Sequence, residues 1–167
     1  MFHILQILTI VLVAVGVALP LAHALELPGK LRLDKGAYLA VQSIYYPGFT
    51  IGAAFGEFGA MAATLILLLV TPYASAAFWL TLLAFIALLI MHGVYWVFTH
   101  PVNKFWLKDQ RLQGAGAAFF AVGGEAGARQ WDERNWTSAR DRWEYSHVAR
   151  AVFAMLALIA LVTAATI

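Results

Sequence analysis

The sequence predicts an all-α membrane protein: a four-helix transmembrane bundle whose third and fourth helices are joined by a long, partly helical connection. Three observations carry this expectation. The 167 residues are 62% hydrophobic and only 12% charged, which leaves too little polar surface for a water-soluble domain of that size. Four segments, residues 4–25, 49–70, 74–99 and 148–167, reach the roughly 20 mainly apolar residues that a bilayer-spanning helix needs. All eleven Lys and Arg fall in two stretches, 30–35 and 104–150. Membrane-spanning open strands are excluded, because lipid cannot satisfy their unpaired backbone groups. Residues 1–167 read as a single domain.

Taken in order, the first span is interrupted only by Gln6 and Thr9 before His23. Pro20 removes a backbone donor and should bend or end that helix, making Leu27-Pro28-Gly29 a turn. Ala22-His23-Ala24 resembles a signal-peptidase site. The absence of Lys and Arg from Met1-Phe2-His3, and the length of the apolar run, favour a retained helix. Residues 35–46 place Tyr38, Val41, Gln42 and Tyr45 on one face, which suits a short interfacial helix. Tyr45 and Tyr46 suit the headgroup belt.

The second span carries Gly52, Gly56 and Ala60 at four-residue spacing, a period that lets helix backbones approach closely in lipid. Its only charge is Glu57. Thr71-Pro72-Tyr73-Ala74 then allows only an antiparallel hairpin into the third span, which holds His92 and no formal charge. His100-Pro101-Val102-Asn103 closes that helix. The connection 100–146 includes a Gly/Ala-rich stretch, 114–124. Residues 137–150 read as helical and continuous with the fourth span, with Ser138 and Asp141 resembling a capping box. Trp136, Arg140, Trp143, His147 and Arg150 share one helical face. Arg140 reads as snorkelling to phosphate, and Trp106, Trp131, Trp136 and Trp143 as interfacial anchors.

Alternation of spans puts connections 27–47 and 100–146 on one side of the bilayer, and both termini on the other. Every Lys and Arg lies on the first side. The positive-inside rule makes the protein a multi-pass cell-membrane protein with cytoplasmic connections and both termini outside.

This topology gathers the rare ionisable groups in one leaflet. Glu57 lies about eight residues, or roughly 12 Å, into its helix. A carboxylate at that depth costs about 2.5–3.5 kcal/mol and usually faces a bundle interior. His92 reaches a similar depth from the other direction. His23, Glu26, His100, Asn103, His147 and Arg150 sit at the same end of the bundle. With no Cys, thiol chemistry and Cys-ligated clusters are excluded. No phosphate loop or nucleophile elbow occurs, and the sparse charge, net +2, makes no nucleic-acid surface.

The cofactor is left open between none, a non-haem metal and haem. A metal would use His23, Glu26, Glu57 and His92. A haem would use axial histidines such as His23 and His100. Only two carboxylates reach the layer, which argues against a di-iron centre.

His100-Pro101-Val102-Asn103 after a third span resembles the Pro-x-Asn element of the small four-helix membrane proteins related to anthrone oxygenases. Trp143, His147 and Arg150 entering the fourth span resemble that family's Trp-x-x-x-His-x-x-Arg. The resemblance implies the four-helix fold and, as activity, oxygenation of a polycyclic anthrone to a quinone, with Asn103, Trp143, His147 and Arg150 as the matching positions. His23, Glu26 and Glu57 are not features matched to the family.

The leading expectation is therefore a polar His/Glu pocket in the cytoplasmic leaflet acting as an oxygenase or oxidoreductase on a lipophilic, quinone-like or polycyclic molecule. His92 or His147 would be the general base and Glu57 its orienting partner. Arg150 or Asn103 would stabilise an oxyanion. Two other readings stand beside it. One is a non-catalytic accessory subunit or homo-oligomeric scaffold in contact through the Gly52/Gly56/Ala60 stripe. The other is a haem-binding electron carrier. The expected partners are the lipid bilayer, a lipophilic small molecule, and further copies of the chain or a membrane complex.

Overall fold

The computed structural model describes residues 2–45, 48–106 and 134–167, the side chain of Lys104 excepted. Tyr46, the Gly/Ala-rich stretch 114–124 and Trp131 lie outside the described residues. Four helices are long and apolar enough to cross a membrane: α1 (Phe2–Lys30), α3 (Gly48–Val70), α4 (Ala76–Asn103) and α5 (Trp136–Thr166). Between α1 and α3 lies the short α2 (Lys35–Gln42), followed by one tight turn at Ser43–Tyr45. Among the described residues there is no strand.

The bundle is closed as a ring. α5 packs along both α1 and α4, and α3 packs against the same two helices from the other side. α3 and α5 thus stand diagonally opposite. The shared interior is built from small residues, with Ala60, Ala84, Ala87, Ala154, Ala157 and Ala160 around Val13, Leu67, Leu88, Met91 and Leu161. In lipid, association rests on such close approach, because there is no hydrophobic drive between helices. The outward faces carry Ile4, Ile7, Leu8, Val11, Leu65, Leu69, Leu83, Val152, Leu156 and Ile159 exposed. This is a multi-pass membrane protein with a lipid-facing apolar coat.

Several local expectations are corrected. α1 neither ends at Pro20 nor turns at Leu27-Pro28-Gly29; both prolines lie inside it, and Leu31 N–H still reaches Leu27 C=O at 3.0 Å. Proline is tolerated there because neighbouring helices hold the segment in place. The capping box at Ser138 does not form. α5 starts earlier, at Trp136, with no side-chain cap on Asn135, and Asp141 is drawn to Arg140 at 2.8 Å. The Gly52/Gly56/Ala60 stripe, by contrast, allows the close helix approach its spacing suggested, here with α1. A Cβ on Gly56 would meet Val15 Cγ1 at 2.9 Å and Gly16 N at 3.1 Å, so α1 and α3 touch backbone to backbone there.

Two other helix starts are capped by side chains. Asp34 caps α2 by accepting from Ala37 N–H at 2.9 Å. Ser75 caps α4 by accepting from Phe78 N–H at 3.1 Å. Two spans are each widened by a π-turn, at Ala54–Phe58 in α3 and Tyr95–Thr99 in α4. Such turns are uncommon and often mark functional positions. The second leaves carbonyls for α5 to use: Arg142 Nη2 donates to Val97 O at 2.7 Å.

Candidate functional site

Three layers of polar and aromatic side chains fill the basic end of the bundle. The outermost centres on Lys30, the last residue of α1, which is only 3% exposed. Its ammonium donates to His23 Nδ1 (2.9 Å), Glu26 Oε2 (3.0 Å) and the Glu144 carboxylate (3.4 Å). Glu144, from α5, is fully buried and also accepts from Tyr38 OH of α2 at 2.9 Å. Tyr45 OH donates to Glu26, and Lys30 sits over the Tyr45 ring at 4.6 Å. Burial, and then the Glu144 carboxylate, push the Tyr38 phenol well above its ordinary range. Burial and the hydrogen bond to Glu26 do the same to Tyr45. Both phenols therefore stay neutral and remain donors.

The middle layer is aromatic. The His23 ring lies 4.3 Å from His147, 4.8 Å from Trp143, 4.5 Å from Tyr45 and 5.0 Å from Phe49. His147 Nδ1 meets the Trp143 carbonyl at 2.8 Å. A carbonyl only accepts, so Nδ1 carries the proton and Nε2 the lone pair. Trp143 is held from α4, its Nε1–H donating to Asn103 Oδ1 at 2.6 Å. Thr99 donates to Ser146 (2.8 Å), which in turn donates to the Trp143 carbonyl (2.6 Å).

The innermost layer crosses the bundle diagonal. Arg150 of α5 and Glu57 of α3, 4% and 5% exposed, form an ion pair at 2.5 Å. The guanidinium also lies 5.1 Å from the Tyr95 ring. Its Nε–H is buried with no partner. Both π-turns belong to this layer, since Glu57 lies in one and Tyr95 in the other.

Of the residues expected from sequence, His23, Glu26, Glu57, Asn103, His147 and Arg150 are brought into this one stack. His92 is placed differently. Its Nδ1 bonds the Leu88 carbonyl of its own helix at 2.9 Å, its ring faces Phe58 at 5.6 Å, and its Nε2 is buried without a partner. His100 engages Tyr95 OH at 3.1 Å and the Trp96 ring at 4.8 Å. Among the described residues no three His, Cys, Asp or Glu side chains are grouped to hold a metal ion. The set His23, Glu26, Glu57 and His92 is thus not assembled, since Glu57 is committed to Arg150. Arg140 pairs with Asp141 and lies 5.3 Å from the Trp136 ring.

Sequence reasoning missed Lys30, Tyr38 and Glu144 as site residues. One signal was available for Glu144: it lies three residues before His147 and four after Arg140, beside the helical face that was singled out.

The family model for anthrone oxygenase matches residues 45–160. No curated protein and no solved structure matches the chain.

Proposed function

Because the chain belongs to the anthrone oxygenase family, whose model spans well over half of it, we propose that it oxygenates a lipophilic polycyclic ketone at the layered site. The observation that carries this reading is the pairing of His147 with Arg150 one turn further along α5. The first, on a buried side chain, leaves its lone pair on Nε2, and the second leaves Nε–H as a buried donor without a partner. A neutral base and an unspent cationic donor are what removal of an acidic C–H beside a conjugated carbonyl requires.

In this reading the flat substrate enters from the bilayer and lies against the rings of His23, Tyr45, Phe49 and Trp143. His147 Nε2 takes a proton from the methylene carbon, and the electron pair moves onto the carbonyl oxygen, where Arg150 offsets the developing charge. Dioxygen is the oxidant. A C–O bond forms at the former methylene carbon, the second hydrogen leaves as a proton, and the O–O bond breaks. One oxygen stays as the new carbonyl. The other departs as water with the two protons, one of them returned by His147. Glu57 orients Arg150, and Asn103 orients Trp143.

The test uses the full chain in mild detergent with anthrone in air, following quinone absorbance and oxygen uptake against the spontaneous background. Oxygen uptake equal to quinone formed, with His147→Ala reducing the rate about 10²–10⁴-fold, is the expected result. A wild-type rate equal to background, or a folded His147→Ala protein of undiminished rate, would overturn the proposal.

A further inference from the structure

Lys30 is an unusual residue to find buried at the end of a membrane helix. An ammonium has three N–H bonds and no lone pair, and here three acceptors surround it: His23 Nδ1, Glu26 and Glu144. Two of these are carboxylates, and the rings of Tyr45 and Trp143 flank the ammonium at 4.6 and 5.3 Å. His23 can then meet Lys30 only through an unprotonated Nδ1, so its ring proton resides on Nε2. His147 beside it has the opposite arrangement, because its Nδ1 faces the Trp143 carbonyl.

We propose that Lys30 is a positioning residue that locks His23 in the Nε2–H tautomer, so that the two adjacent histidines meet a ligand as a hydrogen-bond donor beside an acceptor. The ligand part rests on the proposed oxygenase reading. It narrows the substrate to polycycles that offer an acceptor oxygen to His23 and an acidic hydrogen to His147 together. A plain hydrocarbon offers neither, and a fully oxidised quinone has no hydrogen to give, so product is held less well than substrate. The cradle around Lys30 comes from every neighbouring element: Glu26 and His23 on α1, Tyr38 on α2 acting through Glu144, Tyr45 in the turn after it, and Glu144 and Trp143 on α5.

The tautomer is read directly, without activity, by ¹⁵N NMR of histidine-labelled protein in micelles, with signals assigned by His23→Gln and His147→Gln. The expected wild-type pattern is a bare Nδ1 and protonated Nε2 for His23, and the reverse for His147. Lys30→Met leaves Glu144 buried without a counter-ion, so Lys30→Met/Glu144→Gln serves as the variant that keeps its fold. In it, the His23 signals should leave the bare-Nδ1 position. A protonated Nδ1 on His23 in the wild type, or signals unmoved in the double variant, would overturn the assignment. If the NMR pattern is as expected while anthrone is not oxidised, the oxygenase reading fails and the role of Lys30 stands. If anthrone is oxidised, the double variant should lose about 10²-fold in kcat, the usual effect of removing one oxyanion donor. An unchanged kcat would overturn the ligand half.

Discussion

At the scale of single residues, Glu57 and Arg150 show how a costly group becomes a fixed point. Each is nearly fully buried, and each is the other's ion partner. Removing one strands the other, a loss of about 3–5 kcal/mol for a buried pair. Arg150→Met should therefore destabilise the protein in detergent by that amount. Glu57→Gln/Arg150→Met should recover most of it, which a thermal-unfolding double-mutant cycle will read as strong coupling. Tyr38 makes a different prediction. Its phenol is held neutral by burial and by Glu144, whereas in the unfolded chain it ionises near pH 10. Its contribution is complete below about pH 10 and is lost as pH rises further. Alkaline titration of the melting temperature should fall less steeply in Tyr38→Phe. Glu57 and His23 were legible in the sequence because they stand out within apolar runs, and His147 and Arg150 because their spacing with Trp143 puts them on one helical face. Lys30, Tyr38 and Glu144 were not, because each sits among other interfacial polar residues, and Tyr38 is buried only where α2 packs against the ends of α4 and α5.

At the scale of elements, the contact of α1 with α3 depends on Gly56. An added methyl would press on Gly16 N at 3.1 Å, and backbone cannot step aside as a side chain can. Gly56→Ala should cost about 1–3 kcal/mol, measured by thermal denaturation in detergent. Gly93, where a Cβ would meet nothing within 4 Å, is the matched control; Gly93→Ala should be neutral or gain up to about 1 kcal/mol. The four long helices were legible from hydropathy alone, since lipid leaves the backbone few options. Their details were less so. Pro20 normally breaks a helix in water, but here it lies between packed neighbours. The π-turns leave no periodicity signal, because one extra residue in a uniformly apolar run changes nothing visible. Yet they set the orientation of Glu57 and Tyr95.

At the scale of the whole molecule, the basic residues make the orientation testable. The chain has no cysteine, so single cysteines at Asp34 and Ser75 report cleanly. By the positive-inside rule, an impermeant thiol reagent applied outside intact cells should label Ser75→Cys and spare Asp34→Cys; the reverse pattern would invert the proposed topology. The bundle was legible as four antiparallel spans, but which helices oppose one another was not, because ring order is a packing outcome. That order puts the ion pair across the diagonal, joining residues 93 positions apart. A ribosome adding about 5–20 residues per second leaves roughly 5–20 s between the emergence of Glu57 and that of Arg150. Throughout that interval the carboxylate is in an unfinished bundle without its counter-ion. Arrival of the last helix is then the event that commits the nascent protein to its fold, and a chain halted before it would present membrane quality control with a lone buried acid.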